Sequence, residues 1–406
     1  MEDQGFRLPS RRVATMPVQQ GMFEGTKMRV LHIAESTLGG VGSYLEEVGS
    51  FQTAELGADN VHFTVPDEEG SPFARLAHSG QVTGFRRDRR SVRSLVALAT
   101  VSRRVLRDFR PSIVHIHSSF AGAVVRPLIG RLKTRPQIVY CPHGWSFGMT
   151  VSSKRLAAYA LVERRLCRST DLVILNSESE LRLARQFRVD ARSMVVIPNG
   201  VTLRPDAQPD PEASSRTGPL RLGFIGRFDN QKGLDLLLSA FGQVSRSDLE
   251  LHIVGAQVVG DSLQAAALQQ KNIINHGWLH RDQVYALLPG FDAVVMPSRW
   301  EAMPLVALEA MQCGVPIIGS NRGGIPEVVR DGTDGLIFPL EEPDALARLL
   351  SSVTREQLLP MGVSARLRFL ERFTIDRMNI DILAAYQFLL KENPPQSVRT
   401  LLRGGS

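Results

Sequence analysis

Leu220-Arg-Leu-Gly-Phe-Ile225-Gly226-Arg227-Phe-Asp-Asn-Gln-Lys232-Gly233 is the stretch that decides the fold of this 406-residue chain. Leu220, Leu222, Phe224 and Ile225 form a short apolar run closed by a glycine, the pattern of a buried strand entering a turn. Helical periodicity resumes from about Gly233. Strand, tight turn and helix together make the opening of a parallel βαβ unit. The turn also carries chemistry. Arg227 and Lys232 stand five residues apart beside the first N–H groups of the helix. Two fixed cations next to backbone donors suit a diphosphate. Either cation alone would be ordinary surface charge; the pair at this junction points to a phosphate site.

The same alternation extends in both directions. Downstream, residues 251–254, 293–296 and 316–319 read as strands, with helices from about Pro304 and Pro343. Upstream, strands are expected at 28–33, 61–65, 113–117, 137–140, 171–175 and 194–197. Helices are expected from about Ser43, over 95–109 and from about Ala121. The fold class is therefore α/β, with two doubly wound, Rossmann-like sheets in tandem. Pro, Ser, Asp and Gly dominate residues 203–219, which read as a linker. The expected organisation is an extension over 1–26, a first domain over 27–200, a linker over 201–219 and a second domain over 220–373. A helix within 374–393 follows, with Met378, Ile382, Tyr386 and Leu389 at helical spacing, packing back on the first domain; a tail covers 394–406. Ligands bind such sheets beyond the carboxyl ends of the strands, so two facing domains form a cleft suited to a site.

Composition narrows the classes. Hydrophobic residues make up 43% and charged residues 22%, a globular balance with material for large cores. No stretch approaches the ~18 apolar residues of a membrane span, and residues 1–26 hold no apolar signal-peptide core. Cys141, Cys167 and Cys313 are isolated and odd in number, which suits reduced thiols in the cytoplasm and neither disulfides nor a zinc site. The net charge of +7 is uneven, at +10 over residues 27–200 and −3 over 201–406. The densest run is Arg86-Arg87-Asp88-Arg89-Arg90, with Arg93 close behind. A basic first half suits an anionic membrane surface or a pyrophosphate-bearing acceptor. Aromatic residues are not interleaved with the arginines, which argues against nucleic acid.

Two further constellations stand at predicted strand–helix junctions. Gly39, Gly40 and Gly42 follow the first strand, where glycines let backbone N–H groups approach a phosphate. They give only two of the three glycines of a dinucleotide fingerprint, since Leu45 takes the third place. In the second half, Glu301 lies in the loop before a helix opened by Pro304, and Glu309 lies inside that helix among Leu305, Val306, Leu308 and Met311. An ionised glutamate there needs partners, and a ribose diol offers two hydroxyl donors. Glu301 is placed to meet sugar hydroxyls, and the backbone from Met303 through Pro304 to Leu305 to face the donor phosphate.

The Glu301–Glu309 spacing with the Arg227–Lys232 pair resembles the retaining glycosyltransferases of the family-4 type, which have the GT-B fold. Gly39-Gly-Val-Gly42, Pro142-His143-Gly144, Pro198-Asn199-Gly200 and Gly323-Gly-Ile-Pro-Glu327 look like the family's other landmarks. The resemblance covers residues from about 28 to 390 and is looser between 61 and 135. It implies that Gly39 and Gly40 touch the donor phosphate and that His143 lies beside the transferred sugar. Arg227 and Lys232 would neutralise the leaving diphosphate, Glu301 would hold the sugar and Glu309 the ribose. Ala302 and Met303 stand where many relatives carry Gly and Phe or Met.

These roles imply transfer of a hexose from a GDP- or UDP-linked sugar to a saccharide acceptor, polyprenyl-diphosphate-linked, in cell-surface polysaccharide assembly. The enzyme would work in the cytoplasm, peripherally on the inner face of the plasma membrane. No Asp-x-Asp motif occurs, so Arg227 and Lys232 would carry the charge role of a metal, and no metal or other cofactor is expected. Competing readings are the same chemistry on a soluble acceptor, a sugar-nucleotide epimerase of related fold, an NAD-dependent dehydrogenase and a silent binding subunit. The dehydrogenase leaves Arg227, Lys232, Glu301 and Glu309 without a task.

Overall fold

The computed structural model describes residues 28–37, 39–67, 81–88, 91–130, 132, 134–257 and 272–390. The expected extension over 1–26, Arg89, Arg90 and the tail from 394 lie outside the described residues.

The first half alternates β1 (Val30–Ala34), α1 (Gly40–Leu56), β2 (Val61–Pro66), β3 (Val82–Phe85), α2 (Val92–Phe109), β4 (Ile113–His117) and α3 (Ser119–Ile129). It continues with β5 (Gln137–Cys141), α4 (Ser153–Cys167), β6 (Leu172–Leu175), α5 (Glu178–Gln186) and β7 (Met194–Val196). The strands form one sheet in the order β3-β2-β1-β4-β5-β6-β7, parallel throughout. Helices cover both faces, which is why β1, β4 and β6 are buried at every position and read as continuous apolar runs.

The second half repeats the plan with β8 (Leu220–Ile225), α6 (Leu234–Gln243), β9 (Leu249–Val254), β10 (Ile273–Gly277), α7 (Arg281–Leu287) and β11 (Ala293–Met296). Then come α8 (Leu305–Gln312), β12 (Ile317–Ser320), α9 (Ile325–Val328), β13 (Gly335–Phe338), α10 (Ala345–Ser352) and α11 (Arg355–Arg372). Its parallel sheet runs β10-β9-β8-β11-β12-β13. The last helix, α12 (Ile375–Leu389), leaves this half and joins the first. Its Met378, Ile382 and Tyr386 pack with Val30, Leu45 and Phe63, as the periodicity of that segment predicts.

Several elements differ from the sequence-based expectation. β3, β10 and β13 were not legible, and all three are edge strands. Edge strands are short and half solvated, so they lack the continuous apolar signature. α1 opens at Gly40 and not near Ser43, because Gly39, at φ 71°, ends the strand-side loop and lets the helix start at once. α3 opens at Ser119, ahead of Ala121. Pro304 is the residue flanking α8 and not part of its first turn. α10 likewise starts at Ala345, after Pro343.

The chain crosses between the halves at two neighbouring places, and Val201 bridges to Thr374 there. A Cβ on Gly200 would sit 2.3 Å from the Thr374 carbonyl oxygen, so only glycine fits the crossing. A second tie lies on the other side of the cleft. Glu327, on α9, accepts hydrogen bonds from the N–H groups of Glu178 (2.7 Å) and Ser179 (2.6 Å) at the start of α5. The first N–H groups of a helix have no internal partner, so a carboxylate from the opposite half satisfies them.

Replacing Glu327 with alanine removes that tie. We expect exchange of the Glu178 and Ser179 amide hydrogens to accelerate about fivefold, matching the ~1 kcal/mol of a lost helix cap. Unchanged exchange would mean the tie does not hold the halves together.

Candidate active site

Every residue singled out from the sequence lies on one of the two sheets' carboxyl-terminal sides, in the first loop or helix beyond a strand. β1 leads to Gly39 and Gly40, β5 to His143, β8 to Arg227 and Lys232, and β11 to the loop bearing Glu301. The two sides meet. A Cβ on Gly144 would lie 3.8 Å from the Ala302 methyl group. Asn199, after β7, donates its Nδ2 to the Met303 carbonyl at 3.0 Å. Gly144 and Asn199 thus bring the first sheet's loops against the segment between Glu301 and α8.

On the second side, Lys232 Nζ and Glu301 Oε1 form an ion pair at 2.5 Å. Ser298 Oγ donates to the same oxygen at 3.0 Å, and Asp229 Oδ1 accepts from the Lys232 N–H at 3.0 Å. Gly233, at φ 69°, packs so closely that a Cβ would lie 2.2 Å from the Pro297 carbonyl oxygen, which brings Lys232 beside β11. Arg227 is more open. Its guanidinium, 40% exposed, contacts Asp229 at 3.1 Å and Gln231 at 3.0 Å. The two cations are held differently. Lys232 is engaged by the glutamate expected to hold sugar, while Arg227, among the described residues, is held by Asp229 and Gln231 of its own loop.

Beyond this pair stands the N-terminus of α8. Met303 is buried and its sulfur lies 3.1 Å from the Asn199 nitrogen. Pro304 has no N–H, so the donors here are Leu305 and the residues after it. Glu309, one turn on, does not share a contact with Glu301. Its Oε1 accepts from Arg281 Nε at 2.9 Å, and Arg281 reaches Glu47 of α1 at 2.6 Å. Burial pushes the Glu309 carboxyl up, and Arg281 opposes it. Among the described residues, none donates a hydrogen bond to Glu309 Oε2.

On the first side, Gly39 and Gly40 are exposed and no heavy atom would meet a Cβ at either position. The Gly42 N–H is taken by the Gly39 carbonyl at 3.0 Å, which leaves the helix N-terminal donors at Gly40 and Val41. Tyr44, one turn into α1, meets the His143 ring edge-on with centroids 4.6 Å apart. His143 has φ 50°, a strained backbone for a residue with a side chain. Glu180 holds this loop from below, since its Oε1 accepts from the Gly144 N–H at 2.8 Å and its Oε2 from the Asn176 N–H at 2.7 Å. Burial raises the Glu180 carboxyl to about 7.

Glu180, Glu47, Arg281 and Tyr44 were not singled out from the sequence. Ser177 and Glu180 do carry a helix-start signature, and Ser177 Oγ accepts the Glu180 N–H at 3.2 Å. Glu47 and Arg281 are 234 positions apart, and no local pattern joins them.

Behind His143 lies a buried histidine cluster. His32, His115 and His117 place ligand-type atoms within 4.8 Å of one another, the one group among the described residues with metal-ligand spacing. Their nitrogens are largely committed to one another, to Gln52, to His143 and to Tyr386. Only His115 Nε2 lacks a partner. Burial keeps all of them neutral, lowering His32 to about 4 and His143 to about 3, with His115 and His117 also well below the usual value.

Residues 219–356 match the family model described as glycosyl transferases group 1, and residues 39–200 match that of the glycosyl transferase 4-like domain. An uncharacterized 41.2 kDa protein in the cps region of Klebsiella pneumoniae is 31% identical, covering 80% of this chain and 90% of that protein. The UDP-Gal:alpha-D-GlcNAc-diphosphoundecaprenol alpha-1,3-galactosyltransferase of Escherichia coli is 28% identical, covering 70% of this chain and 76% of that one. Among solved structures, sucrose-phosphate synthase of Thermosynechococcus elongatus superposes with a TM-score of 0.75 at 20% identity, over 89% of this chain and 99% of that one. Anabaena HepE in complex with UDP-glucose superposes with a TM-score of 0.75 at 19% identity, over 89% of this chain and 100% of that one.

The buried imidazoles make stability depend on pH with a definite sign. Their folded pKa values lie below the unfolded 6.5, so this contribution is complete above pH 6.5 and is lost as pH falls toward the folded values. Between pH 7.5 and 5.5 the four rings, His143 included, cost about 5 kcal/mol together. Glu180, raised to about 7, works in the opposite direction and returns about 2 kcal/mol over the same span. Urea unfolding should therefore show a net loss of about 3 kcal/mol from these groups, rising to about 5 kcal/mol in Glu180→Gln. A wild-type protein as stable at pH 5.5 as at 7.5 would contradict neutral burial of the cluster.

Proposed function

The chain belongs to the glycosyl transferases group 1 and has the GT-B fold, and from that premise we propose that it transfers a hexose, with retention and without a metal, from a UDP-sugar to a lipid-linked saccharide acceptor. The observation that carries this reading is the Lys232–Glu301 pair facing the His143–Gly144 loop between two sheets' carboxyl ends. The Escherichia coli galactosyltransferase, named for UDP-Gal, and HepE, solved in complex with UDP-glucose, support UDP over GDP. The diphosphoundecaprenol acceptor in the galactosyltransferase's name and the cps region of the Klebsiella relative support a lipid-linked acceptor in surface-polysaccharide assembly.

The difficult step is departure of the nucleoside diphosphate from the anomeric carbon. Negative charge grows on the leaving phosphate, so Arg227, Lys232 and the N–H groups at the start of α8 stabilise it most in the transition state. Donor entry exchanges the Lys232–Glu301 contact for two others: the ammonium turns to the diphosphate and the carboxylate to sugar hydroxyls. Glu309 Oε2 takes the ribose while Arg281 retains Oε1. Gly39 and Gly40, bare of side chains, let α1 approach the same phosphate from the other half. His143 stays uncharged beside the sugar, where a cation would oppose the positive charge developing on the anomeric carbon. The acceptor hydroxyl attacks from the face the diphosphate leaves, and the leaving oxygen takes its proton.

The membrane part of the reading moves to a different surface from the one expected. Arg87 is turned inward to Glu35 at 3.2 Å, and Arg86 lies 3.7 Å from Asp88. The basic surface is carried instead by α2 and α4. Leu161 (64% exposed) and Val162 stand among Lys154, Arg155, Arg165 and Arg168, and Val92 (78% exposed) and Val96 beside Arg93 and Arg103. Apolar side chains among cations fit an anionic lipid surface. No helix of the described residues is long and apolar enough to cross a membrane.

With UDP-sugars and a lipid-diphosphate saccharide, in EDTA, NMR of the product should show the donor's anomeric configuration. Lys232→Ala should lower kcat about 100-fold or more, as loss of a transition-state charge partner does. Inversion, or a strict need for a divalent ion, would overturn the mechanism. Vesicles with anionic lipid should carry the protein on flotation at low salt and lose most of it at high salt or with Leu161→Glu/Val162→Glu. Equal binding to neutral vesicles would overturn the membrane surface.

A further inference from the structure

Gln52 sits on α1, three turns from the glycine loop, and is fully buried, as are His32 and His117. These residues form a chain that ends at the cleft. Gln52 Oε1 lies 3.0 Å from His32 Nε2, His32 Nδ1 lies 3.1 Å from His117 Nε2, and His117 Nδ1 lies 2.9 Å from His143 Nε2. At the far end, His143 Nδ1 is 3.6 Å from Cys141 Sγ. The rings are near-parallel, with interplanar angles of 21° and 23° at successive steps.

A neutral imidazole has one N–H and one lone pair, so each ring in such a chain dictates the tautomer of the next. Two directions of donation are available in principle. The terminal amide chooses between them. Gln52 presents its carbonyl oxygen, which accepts only, so His32 carries its proton on Nε2. His32 Nδ1 then accepts from His117 Nε2–H, and His117 Nδ1 accepts from His143 Nε2–H. With the amide turned about, every proton would sit on the other nitrogen and His143 would point its N–H at Cys141.

We infer that Gln52 is a positioning residue which, through His32 and His117, fixes His143 as its Nε2–H tautomer. This rests on the placement of His143 beside the transferred sugar. It explains why three buried polar side chains, costly to bury one by one, occur together behind one cleft residue. The groups packed around the chain leave the choice to Gln52. Tyr44 meets the His143 ring edge-on, the Tyr386 hydroxyl lies 2.6 Å from His115 Nδ1 and also faces Gln52, and Glu180 binds the backbone of Gly144. Cys141, its thiol pushed well up by burial, stays protonated and directs its proton to Asn176 Oδ1 at 3.3 Å, so toward His143 Nδ1 it offers only a weak sulfur acceptor at 3.6 Å, a lesser claim on the ring proton than the lone pair of His117 Nδ1 at 2.9 Å.

Long-range nitrogen–proton NMR correlations on labelled protein read the tautomer directly. The wild type should show His143 protonated at Nε2 and bare at Nδ1, unchanged from pH 5.5 to 8. Gln52→Met removes the accepting oxygen, and His143 should become a mixture, with kcat falling more than tenfold while the donor KM moves less than twofold. Gln52→Glu keeps the size and the acceptor; it should preserve the tautomer at pH 8 and introduce an imidazolium in the chain as pH falls, with kcat falling in parallel. This second variant keeps the test open if Gln52→Met does not fold. A wild-type His143 protonated at Nδ1, or a His143 spectrum that ignores both substitutions, overturns the inference. The tautomer is read without any sugar donor, so failure of the transferase reading would be seen separately.

Discussion

One close backbone approach holds the cleft in register. A Cβ on Gly323 would lie 1.9 Å from the Glu301 carbonyl oxygen, and one on Gly324 would lie 2.0 Å from that of Ala302. No other residue type fits at either place without moving the loop. The turn between β12 and α9 therefore presses directly on the segment that carries Glu301, and the Gly324 N–H donates to the Glu301 carbonyl at 3.1 Å. The same turn leads into Glu327, whose carboxylate grips the start of α5 in the other half. From the first half, Asn199 holds Met303, and Glu180 fixes the loop of His143 and Gly144. Sheet geometry brings the loops to one place; these backbone contacts decide where in that place the charged groups stand.

Against that frame, the Lys232–Glu301 pair acquires a purpose. A partly buried ammonium and carboxylate would each be costly alone, and pairing makes both tolerable in the absence of donor. On the proposed function, the energy of the pair would not all be lost on exchange, because a nucleotide-sugar would offer an anion to one partner and hydroxyls to the other. The Glu47–Arg281–Glu309 network works in a similar manner deeper in the cleft and spans both halves.

Much of this was legible in the sequence, and the limits have physical causes. Central strands such as β1, β4 and β11 announce themselves because both faces are buried. β3, β10 and β13 do not, because an edge strand needs only one apolar neighbour. Arg227, Lys232, Glu301, Glu309 and His143 were found because glycines and prolines mark the junctions where they stand. Their pairing was not foreseen: that Lys232 meets Glu301, or that Arg281 stands between Glu309 and Glu47, follows from packing of segments far apart in the chain. Glu180 had a local signature, yet its task of holding Gly144 appears only when β5 and α5 lie side by side. The histidine chain was hidden for the opposite reason, since a histidine in a strand reads as an ordinary core residue until its neighbours are known.

On the proposed function one ligand is held by both halves at once. Amide hydrogen exchange with and without UDP tests this. Simultaneous slowing is expected at Gly40 and Val41 of the first half and at Leu305 and Val306 of the second. Slowing confined to one half, or slowing that spares both helix N-termini, would contradict a donor site shared across the cleft.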